Sequence, residues 1–563
     1  MSIKVFSVAE MVAAEKAADA AGNTYEQMME IAGRSVANAI IARTPVEGRR
    51  VLVLVGPGNN GGDGLVAGRY LAQAGADVAI YLYKSRDPEQ DANFAQVKEM
   101  GLFIIEAGLD QRYRVLRTRL NITDIMIDAL LGTGVSRPIG GELANLMRQA
   151  HAGIVECRRI VAEDLQSNLT SIARLDHRPP DQPIVVAVDC PSGLNCDSGA
   201  LDRLAIPADL TVTFAGPKRG HFIFPGAAAC GELVVADIGI SDDLPEVQSA
   251  SVQLATADLA RSLLPKRPAD GHKGTFGTAV IAAGSSQYWG APVLAARAAY
   301  RVGAGLVALA VPEAIRPTVA GQLPEATYPP ITDQDTLGEN SAHVVQKLAA
   351  SKALLVGPGI GQDASDFIHL LLGHRRVANS KEFINAILNE LDEAPALPPL
   401  VVDADGLNLL AQITNWPRCL PPRTILTPHP GEMARLIGIP LANMKRIDRV
   451  EAAQTWAAEW GHIVLLKGAY TIVADPGGKT HILPFANPAL AVGGSGDVLS
   501  GVIVGLLAQG MEPYEAAVLG GYLHGAAGQL ASESLGDAGL LAGEIADWLP
   551  QVRHHLLTAR PSL

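Results

Sequence analysis

The sequence predicts an α/β fold arranged as two units, and three observations carry that prediction. The chain has 563 residues, more than one hydrophobic core ordinarily serves. Short β-branched runs alternate with helical stretches along nearly its whole length. Two glycine-rich loops more than four hundred residues apart, "GPGNNGGDG" at Gly56 to Gly64 and "VGGSGDVLSG" at Val492 to Gly501, each deliver an aspartate at a helix start.

The N-terminus, "MSIKVFSVAEMVAAEKAADA", reads as an amphipathic helix rather than a signal peptide, having no basic segment ahead of an apolar one. Strands are then expected at "RVLVLVG" from Arg50, "DVAIYLY" from Asp77, "DIMIDALLG" from Asp124, "PIVVAVD" from Pro183 and "LTVTFAG" from Leu210. With crossover helices between them they build a Rossmann-like parallel sheet. The stretch from His151 to Gln182 is too long for an ordinary connection and reads as an insertion with its own helix or a mobile part. "SDDLPEVQSAS", after Ile240, looks like a connection, so residues 1–240 and 250–563 are expected as the two domains. The second set of strands runs through "FGTAVIAAGS" from Phe276, "GLVALAVP", "ALLVGPGIG", "PLVVDADGL" and "GHIVLLKGAY", and ends in long apolar helices beyond Gly496. "GHRRVANSKEFINAILNE" at Gly373 to Glu390 reads as an ordinary amphipathic helix.

Composition excludes several function classes. A formal net charge of -13 argues against nucleic acid, which requires a clustered basic surface. The short basic runs at Lys84 to Arg86 and His374 to Arg376 read as solvated loop charges. No apolar run approaches a membrane span. Five cysteines, Cys157, Cys190, Cys196, Cys230 and Cys419, form no CxxC pair, which argues against zinc and for a reducing compartment. A cytoplasmic enzyme is the expectation.

In the first loop, Gly56, Gly58 and Gly61 satisfy G-x-G-x-x-G, but the following strand ends in Lys84 and Ser85 where a dinucleotide site wants an acid for the ribose. The loop instead supplies Asn59, Asn60 and Asp63 at a helix N-terminus suited to a phosphate-bearing ligand. The competing reading is a plain turn that uses Asn and Gly for positive φ. "DALLGTGVSRP" at Asp128 to Pro138 and "VDCPSGL" at Val188 to Leu194 also end strands, so Asn60, Asp128, Asp189 and Ser192 can share one crevice whose oxygen donors suit a hard cation.

"GNNGGDG", "DALLGTG" and "VDCPSGL", in this order, resemble the NAD(P)H-hydrate epimerase family over roughly residues 1–240. The resemblance implies that Asn59, Asn60, Gly61, Gly62 and Asp63, together with Gly132, Thr133, Gly134, Val135, Ser136, Arg137 and Pro138, contact substrate. It further implies that Asn60, Asp128 and Ser192 hold K⁺, and that Asp189 binds substrate and assists epimerisation at nicotinamide C6. Cys190 replaces the usual apolar residue of "VDIPSG", a change expected to be harmless.

The second loop, "GGSGD" before an apolar helix, lets backbone amides approach a phosphate while Asp497 takes a proton, as in the ribokinase-like fold. A solvent-facing helix N-cap is the competing reading. "LTPHPGE" presents His429 between two prolines, and "LLKGAYTIV" puts Lys467 at a strand end where a nucleotide phosphate can lie.

With "KGTFG" from Lys273 and "LPEATY" from Leu323, these motifs resemble the NAD(P)H-hydrate dehydratase family over roughly residues 250–555. That resemblance implies that Ala291, Gly359, His429 and Asp497 contact the hydrated cofactor, with Asp497 catalytic. It places the nucleotide on Lys467, Gly468, Ala469, Tyr470, Thr471 and Gly496, with Mg²⁺ and, for a prokaryotic fusion, ADP rather than ATP. The substrates implied are NADHX and NADPHX, and homo-oligomers are expected. Three alternatives stand beside it: a ribokinase-like small-molecule kinase, an NAD-dependent dehydrogenase built on the first loop, and an N-terminal domain that binds without catalysing.

Overall fold

The computed structural model describes residues 3–135, 137–164, 183–328, 351–361, 397–444 and 446–558. Two compact units divide it, one from Lys4 to Ala250 and the other from Ser251 onward, with Ile3 counted to the second.

After the short β1 (Ile3–Lys4), the first unit contains β2 (Arg50–Val55), β3 (Asp77–Leu82), β4 (Phe103–Glu106), β5 (Ile125–Ala129), β6 (Ile184–Val188), β7 (Leu210–Phe214) and β8 (Glu232–Ala236). All pair in parallel in the order β4-β3-β2-β5-β6-β7-β8. The order reverses at β2, between β3 and β5, which opens a crevice at the carboxyl ends of β2 and β5. Runs such as Val51–Val55 are buried throughout, as a sheet covered on both faces requires.

The N-terminal helix Val8–Ala20 starts at a Ser7/Glu10 capping box and buries Met11, Ala14 and Ala18. Its apolar face also explains the segment after Ile240. "SDDLPEVQSAS" is more than a connection, because Pro245–Ser249 forms a short helix whose Val247 packs with Phe6, Met11 and Ala14. The insertion begins as a continuation of the helix Gly141–Asp164; its remainder, residues 165–182, and the helix expected at 373–390 lie outside the described residues.

The second unit holds β9 (Val252–Leu254), β10 (Thr278–Ala282), β11 (Leu306–Ala310), β12 (Ala353–Val356), β13 (Leu400–Val402), β14 (Ile425–Leu426), β15 (Ile463–Leu466), β16 (Ile472–Ala474) and β17 (Thr480–Ile482). The described residues form a ten-stranded sheet, β1-β9-β17-β16-β15-β14-β13-β12-β10-β11. Its half from β11 to β15 is parallel, and β15-β16-β17 run antiparallel. The apolar helices Ser495–Ala508, Pro513–Leu535 and Ala542–Thr558 contribute heavily to one large core. Helix Gly290–Val302 lies so close that a Cβ on Gly501 would meet the Ala295 carbonyl oxygen at 2.2 Å. That approach fixes the start of the Asp497 helix.

Candidate active sites

In the first unit the glycines of the loop other than Gly58 answer to packing rather than to backbone conformation. None of residues 56–64 has positive φ, so the plain-turn reading is set aside. A Cβ on Gly56 would lie 1.8 Å from the Leu130 carbonyl oxygen, and one on Gly61 2.1 Å from the Gly56 oxygen. The helix Asn59–Gln73 therefore starts hard against the end of β5. Arg86 fastens the turn: its guanidinium donates to the Gly56 and Gly58 oxygens at 2.6 and 2.9 Å and pairs with Asp91. The solvated-charge reading of Lys84–Arg86 thus fails for Arg86, while Lys84 does lie exposed against Glu142.

Asp128, Ser192 and Asn60 come together. Ser192 donates its backbone N–H to Asp128 Oδ2 at 2.9 Å and its hydroxyl to Oδ1 at 2.6 Å. Asn60 donates to the Leu131 oxygen at 3.0 Å, and its Oδ1 stands 3.4 Å from where a Gly132 Cβ would be. Asp128 and Ser192 are buried, and burial raises the Asp128 carboxyl above its ordinary value against the hydrogen bonds from Ser192. Beside them Pro57 to Asn60 and Leu130 to Val135, with Arg137 to Gly140, line a cavity of about 700 Å³. Ser136 lies outside the described residues.

Asp189, at the end of β6, holds an uncommon left-handed φ of 63°. Its Oδ1 accepts from the Lys218 ammonium at 2.5 Å and from the Thr213 hydroxyl at 2.9 Å, and Lys218 also reaches Thr213 at 2.9 Å and the Phe214 oxygen at 3.3 Å. Burial pushes the Asp189 carboxyl up, but the adjacent Lys218 charge and hydrogen bond override it and hold the group below its ordinary value. Asp63 fares differently. Burial, then the charges of Asp189 and Glu15, drive its carboxyl well up. His221, whose Nδ1 accepts the Lys218 N–H at 3.1 Å, is pushed down to about 4 by burial and the Lys218 charge and stays neutral. Sequence reasoning missed Lys218; "FAGPKRG" after β7 was its only signal, a lysine just past a buried strand end.

In the second unit the loops after β10, β12, β13, β14 and β15 lie along one carboxyl edge. Helix Ser495–Ala508 is capped by Gly494 at φ 89°, so Asp497 is its third residue and not the cap. The solvent-facing N-cap reading is thereby set aside. Burial, then the Asp403 charge, pushes the Asp497 carboxyl up to about 7 despite the opposing Lys467 charge.

Lys467 itself is committed elsewhere. It donates to Asp403 Oδ1 at 2.7 Å and stands 3.7 Å from Glu432 Oε2. Asp403 is fully buried, and its Oδ2 has no hydrogen-bond partner among the described residues. A Cβ on Gly496 would sit 3.4 Å from Lys467 Nζ and 3.9 Å from that oxygen, so Gly496 opens onto both. Neither Asp403 nor Glu432 was assigned a role from sequence, although both fall inside motifs that had been read.

His429 caps the helix Pro430–Ile437, its Nδ1 accepting from the Gly431 and Glu432 amides at 2.9 and 3.3 Å. Burial and then the Lys467 charge lower its pKa, and the half-exposed ring presents Nε2 near Glu432 at 3.4 Å. The Lys467–Thr471 loop is held from behind by Arg449, which donates to the Ala469 oxygen at 2.6 Å and to the Leu466 and Lys467 oxygens at 3.2 and 3.3 Å. Thr471 closes it on Gly468 at 2.8 Å, with Tyr470 at φ 52°. Ala291 and Gly359 meet, since a Gly359 Cβ would stand 3.0 Å from that of Ala291. A second cavity, about 760 Å³ between Asn408 and Pro440, contains none of the residues expected from sequence.

Two α/β units that each set a perturbed carboxylate among oxygen and ammonium groups at a parallel sheet's carboxyl edge define a two-centred enzyme. Comparison with known proteins gives the family. Residues 279–551 match the family described as NAD(P)H-hydrate dehydratase, and residues 25–220 the one described as YjeF-related protein N-terminus. The "Bifunctional NAD(P)H-hydrate repair enzyme Nnr" of Moorella thermoacetica is 37% identical over 94% of this chain and 92% of its own. That of Thermofilum pendens is 34% identical over 98% and 96%. A solved ADP/ATP-dependent NAD(P)H-hydrate dehydratase from Bacillus subtilis, co-crystallised with ATP/Mg²⁺, is 32% identical with a TM-score of 0.43, covering 54% of this chain and 98% of that one. The chain belongs to the family of bifunctional NAD(P)H-hydrate repair enzymes. Among the described residues no helix is long and apolar enough to cross a membrane.

Proposed function

We propose that the chain repairs hydrated nicotinamide cofactors, interconverting R- and S-NAD(P)HX in its first unit and dehydrating S-NAD(P)HX to NAD(P)H in its second, with ADP converted to AMP and phosphate. The observation that supports this best is the near full-length identity to bifunctional repair enzymes, joined to two separate carboxylate centres. Hydration at C6 yields both epimers, so a stereospecific dehydratase needs an epimerase to consume the rest.

In the first unit Asn59 to Asp63 and the loop from Gly132 to Pro138 would grip substrate over the cavity. C6 bears both the hydroxyl and the ring nitrogen, so opening and reclosing the ring exchanges its configuration. Asp189, held low beside Lys218, would take the hydroxyl proton, and Asp63, whose carboxyl is driven up, would deliver one to the ring nitrogen as the C6–N bond breaks. Asn60 Oδ1, Asp128 and the Ser192 hydroxyl fit K⁺: all are oxygens, and the buried Asp128 carboxylate is hydrogen-bonded to neutral groups only among its described bonds. Bound there, K⁺ would supply counter-charge and fix the loops that flank the crevice.

In the second unit Asp497 would take the proton of the C6 hydroxyl as it attacks the terminal phosphoryl group of ADP. Phosphate then leaves with the electrons of the C6–O bond as the ring nitrogen donates its own pair, and C5 loses a proton, restoring the dihydronicotinamide of NAD(P)H. Gly496 and the Gly468–Thr471 backbone would cradle phosphate, and Ala291, Gly359 and His429 the hydrated cofactor. The unpartnered Asp403 Oδ2 and Glu432 are hard oxygen donors that fit a Mg²⁺–nucleotide, whose metal would neutralise phosphate charge.

The test is recovery of nicotinamide absorbance from an equilibrated mixture of NADHX epimers with K⁺ and Mg²⁺, comparing ADP, ATP and no nucleotide. Complete ADP-dependent recovery, past the S fraction, is expected. Recovery that stops at the S fraction would remove the epimerase assignment, and none at all, with a stable phosphoester formed from another alcohol, would make the second unit an ordinary kinase.

A further inference from the structure

Two aromatic side chains at the rim of the second site have no role in this scheme. Tyr288 and Trp289 end the loop between β10 and helix Gly290–Val302, and they are 52% and 49% exposed. Single exposed apolar residues are ordinary, but these two are adjacent and lie at the carboxyl edge where an open sheet binds ligands. A Cβ on Gly359 would stand 2.6 Å from Tyr288 Cβ and 3.3 Å from its Cγ, and Gly359 has a φ of 62°. The Tyr288 side chain therefore leaves the backbone flush against the Gly359 turn. The Trp289 indole N–H donates to the Ser286 oxygen at 2.6 Å, so its polar edge is satisfied while about half of the residue, 49%, stays exposed to an apolar partner.

The sheet supplies a ruler. Neighbouring strands lie about 4.8 Å apart, and β10, β12, β13, β14 and β15 are successive neighbours. Asp403, after β13, is thus two strands or about 10 Å from the β10 loop, and Lys467, after β15, four strands or about 19 Å. Asp497 belongs to the middle of this edge, with Lys467 and Asp403 among the charges that act on it. The helix that begins beside Trp289 reaches the Asp497 turn through Leu294, whose Cδ1 would be 2.5 Å from a Gly494 Cβ.

We propose that Tyr288 and Trp289 form the platform on which the adenine ring of the hydrated dinucleotide stacks while its hydrated ring lies at Asp497. The proposal rests on the repair reading given above. The hydrated ring is no longer aromatic and must reach Asp497, so it does not occupy the platform. The nucleotide that gives up its phosphoryl group is drawn to the opposite, Lys467 side. The remaining flat ring is the adenine at the far end of the same dinucleotide, and its pyrophosphate-linked halves span the intervening distance.

The test uses the full-length chain, its Trp289→Leu, Trp289→Phe and Tyr288→Leu variants, and two substrates: S-NADHX and the hydrate of reduced nicotinamide mononucleotide, which lacks the adenosine half. Trp289→Leu and Tyr288→Leu should each raise KM for S-NADHX by about tenfold, the size of one base stack. The KM for ADP and the KM for the hydrated mononucleotide should not move, and Trp289→Phe should retain KM for S-NADHX within about twofold. An unchanged KM for S-NADHX, an equal rise for both substrates, or a rise in KM for ADP overturns the platform. If the unmodified chain restores neither substrate with ADP, the repair reading falls first and the platform with it; activity without the KM pattern removes the platform alone.

Discussion

Lys218 and Lys467 stand in nearly the same place in their two units, just past the end of a buried parallel strand and within reach of buried carboxylates. They leave the two proposed catalytic aspartates in opposite states. Lys218 bonds Asp189 directly at 2.5 Å, and Asp189 is held below its ordinary pKa despite burial. Lys467 bonds Asp403 instead, at 2.7 Å, and Asp497, with that ion pair beside it rather than a cation of its own, is pushed up to about 7. What sets a buried acid is therefore which carboxylate holds the cation, more than how many cations lie nearby. The assignment suits each task. Opening a hemiaminal ring calls for an ionised base beside a protonated acid, whereas a base that meets an anionic nucleotide works best poised near neutral pH.

The largest effects should come from breaking the separation itself. Asp497→Ala should lower dehydration by about a thousandfold or more while leaving epimer interconversion intact, and Asp189→Ala should do the reverse. The two rates are read separately, as ADP-dependent absorbance recovery from pure S epimer and as R-to-S conversion without nucleotide. Loss of both activities in either folded variant would contradict two sites.

Next in size is Lys218→Met, which leaves Asp189 buried without its cation. Breaking a buried pair by removing one partner costs about 3–5 kcal/mol, so the first unit should melt earlier. Its epimerase should fall by about ten- to a hundredfold, with the acid limb of its pH profile moved to higher pH. The sign follows from linkage. Asp189 has a lowered folded pKa, so its contribution to stability is present above the unfolded value and lost as pH falls through the folded one. Removing Lys218 should abolish that acid-side loss. A first-unit melting transition that stays above the assay temperature shows that this unit has folded, and an unmoved epimerase pH limb would show that Lys218 only fills space.

How much of this contrast was legible in the sequence follows from what kind of interaction makes it. The parallel strands, both glycine loops and the Asp128–Ser192 contact come from local pattern and from the rule that strand-end loops share a crevice, and these are the parts anticipated, whereas the strand order and the antiparallel β15-β16-β17 segment are not. Lys218, Asp403, Glu432, Arg86 and Arg449 were not. Each is a single charged residue in a short loop or in the first turn of a helix, where the ordinary expectation is solvation. What makes them part of a site is burial against segments distant in sequence: Lys467 lies 64 residues from Asp403 and Lys218 lies 29 from Asp189. At Gly56 and Gly61 the competing positive-φ reading fails, since close approach to Leu130 and to the Gly56 oxygen excludes a side chain there, which local sequence does not reveal.

A smaller change sharpens the second half of the comparison. If Asp403 both raises Asp497 by its charge and withdraws Lys467, then Asp403→Asn acts on Asp497 twice in the same direction. The carboxylate charge disappears and Lys467 is released toward the remaining acids, so the Asp497 pKa should fall from about 7 toward its ordinary value. Dehydration, which in the unmodified chain should rise with pH through about 7 as Asp497 ionises, should then keep its activity to lower pH. The magnitude at high pH should drop as well, because Asp403 Oδ2 faces Gly496 and the nucleotide side. A pH limb that stays in place would mean that burial alone, not Asp403, sets Asp497.

The smallest expected effect separates Asp189 from its own neighbour. Cys190 follows Asp189 directly and is fully buried, packed with Leu194, Cys196 and Cys230. A reactive thiol needs a cation or a helix N-terminus to stabilise its thiolate and a route to solvent. Cys190 has the opposite setting: its hydrogen bond with Cys196, followed by burial, drives its pKa well up and keeps it protonated. Lys218 adds an opposing influence, but its ammonium is spent on Asp189, so the cation that prepares the aspartate leaves the thiol inert. Cys190→Ala should therefore hold the epimerase rate within about twofold and cost about 1 kcal/mol for the sulfur-sized void. Epimer conversion and thermal melting of the same sample decide it. A loss of rate approaching that of Asp189→Ala would mean that the thiol takes part in the proton transfer, and that the first centre, unlike the second, works with two groups from one strand end.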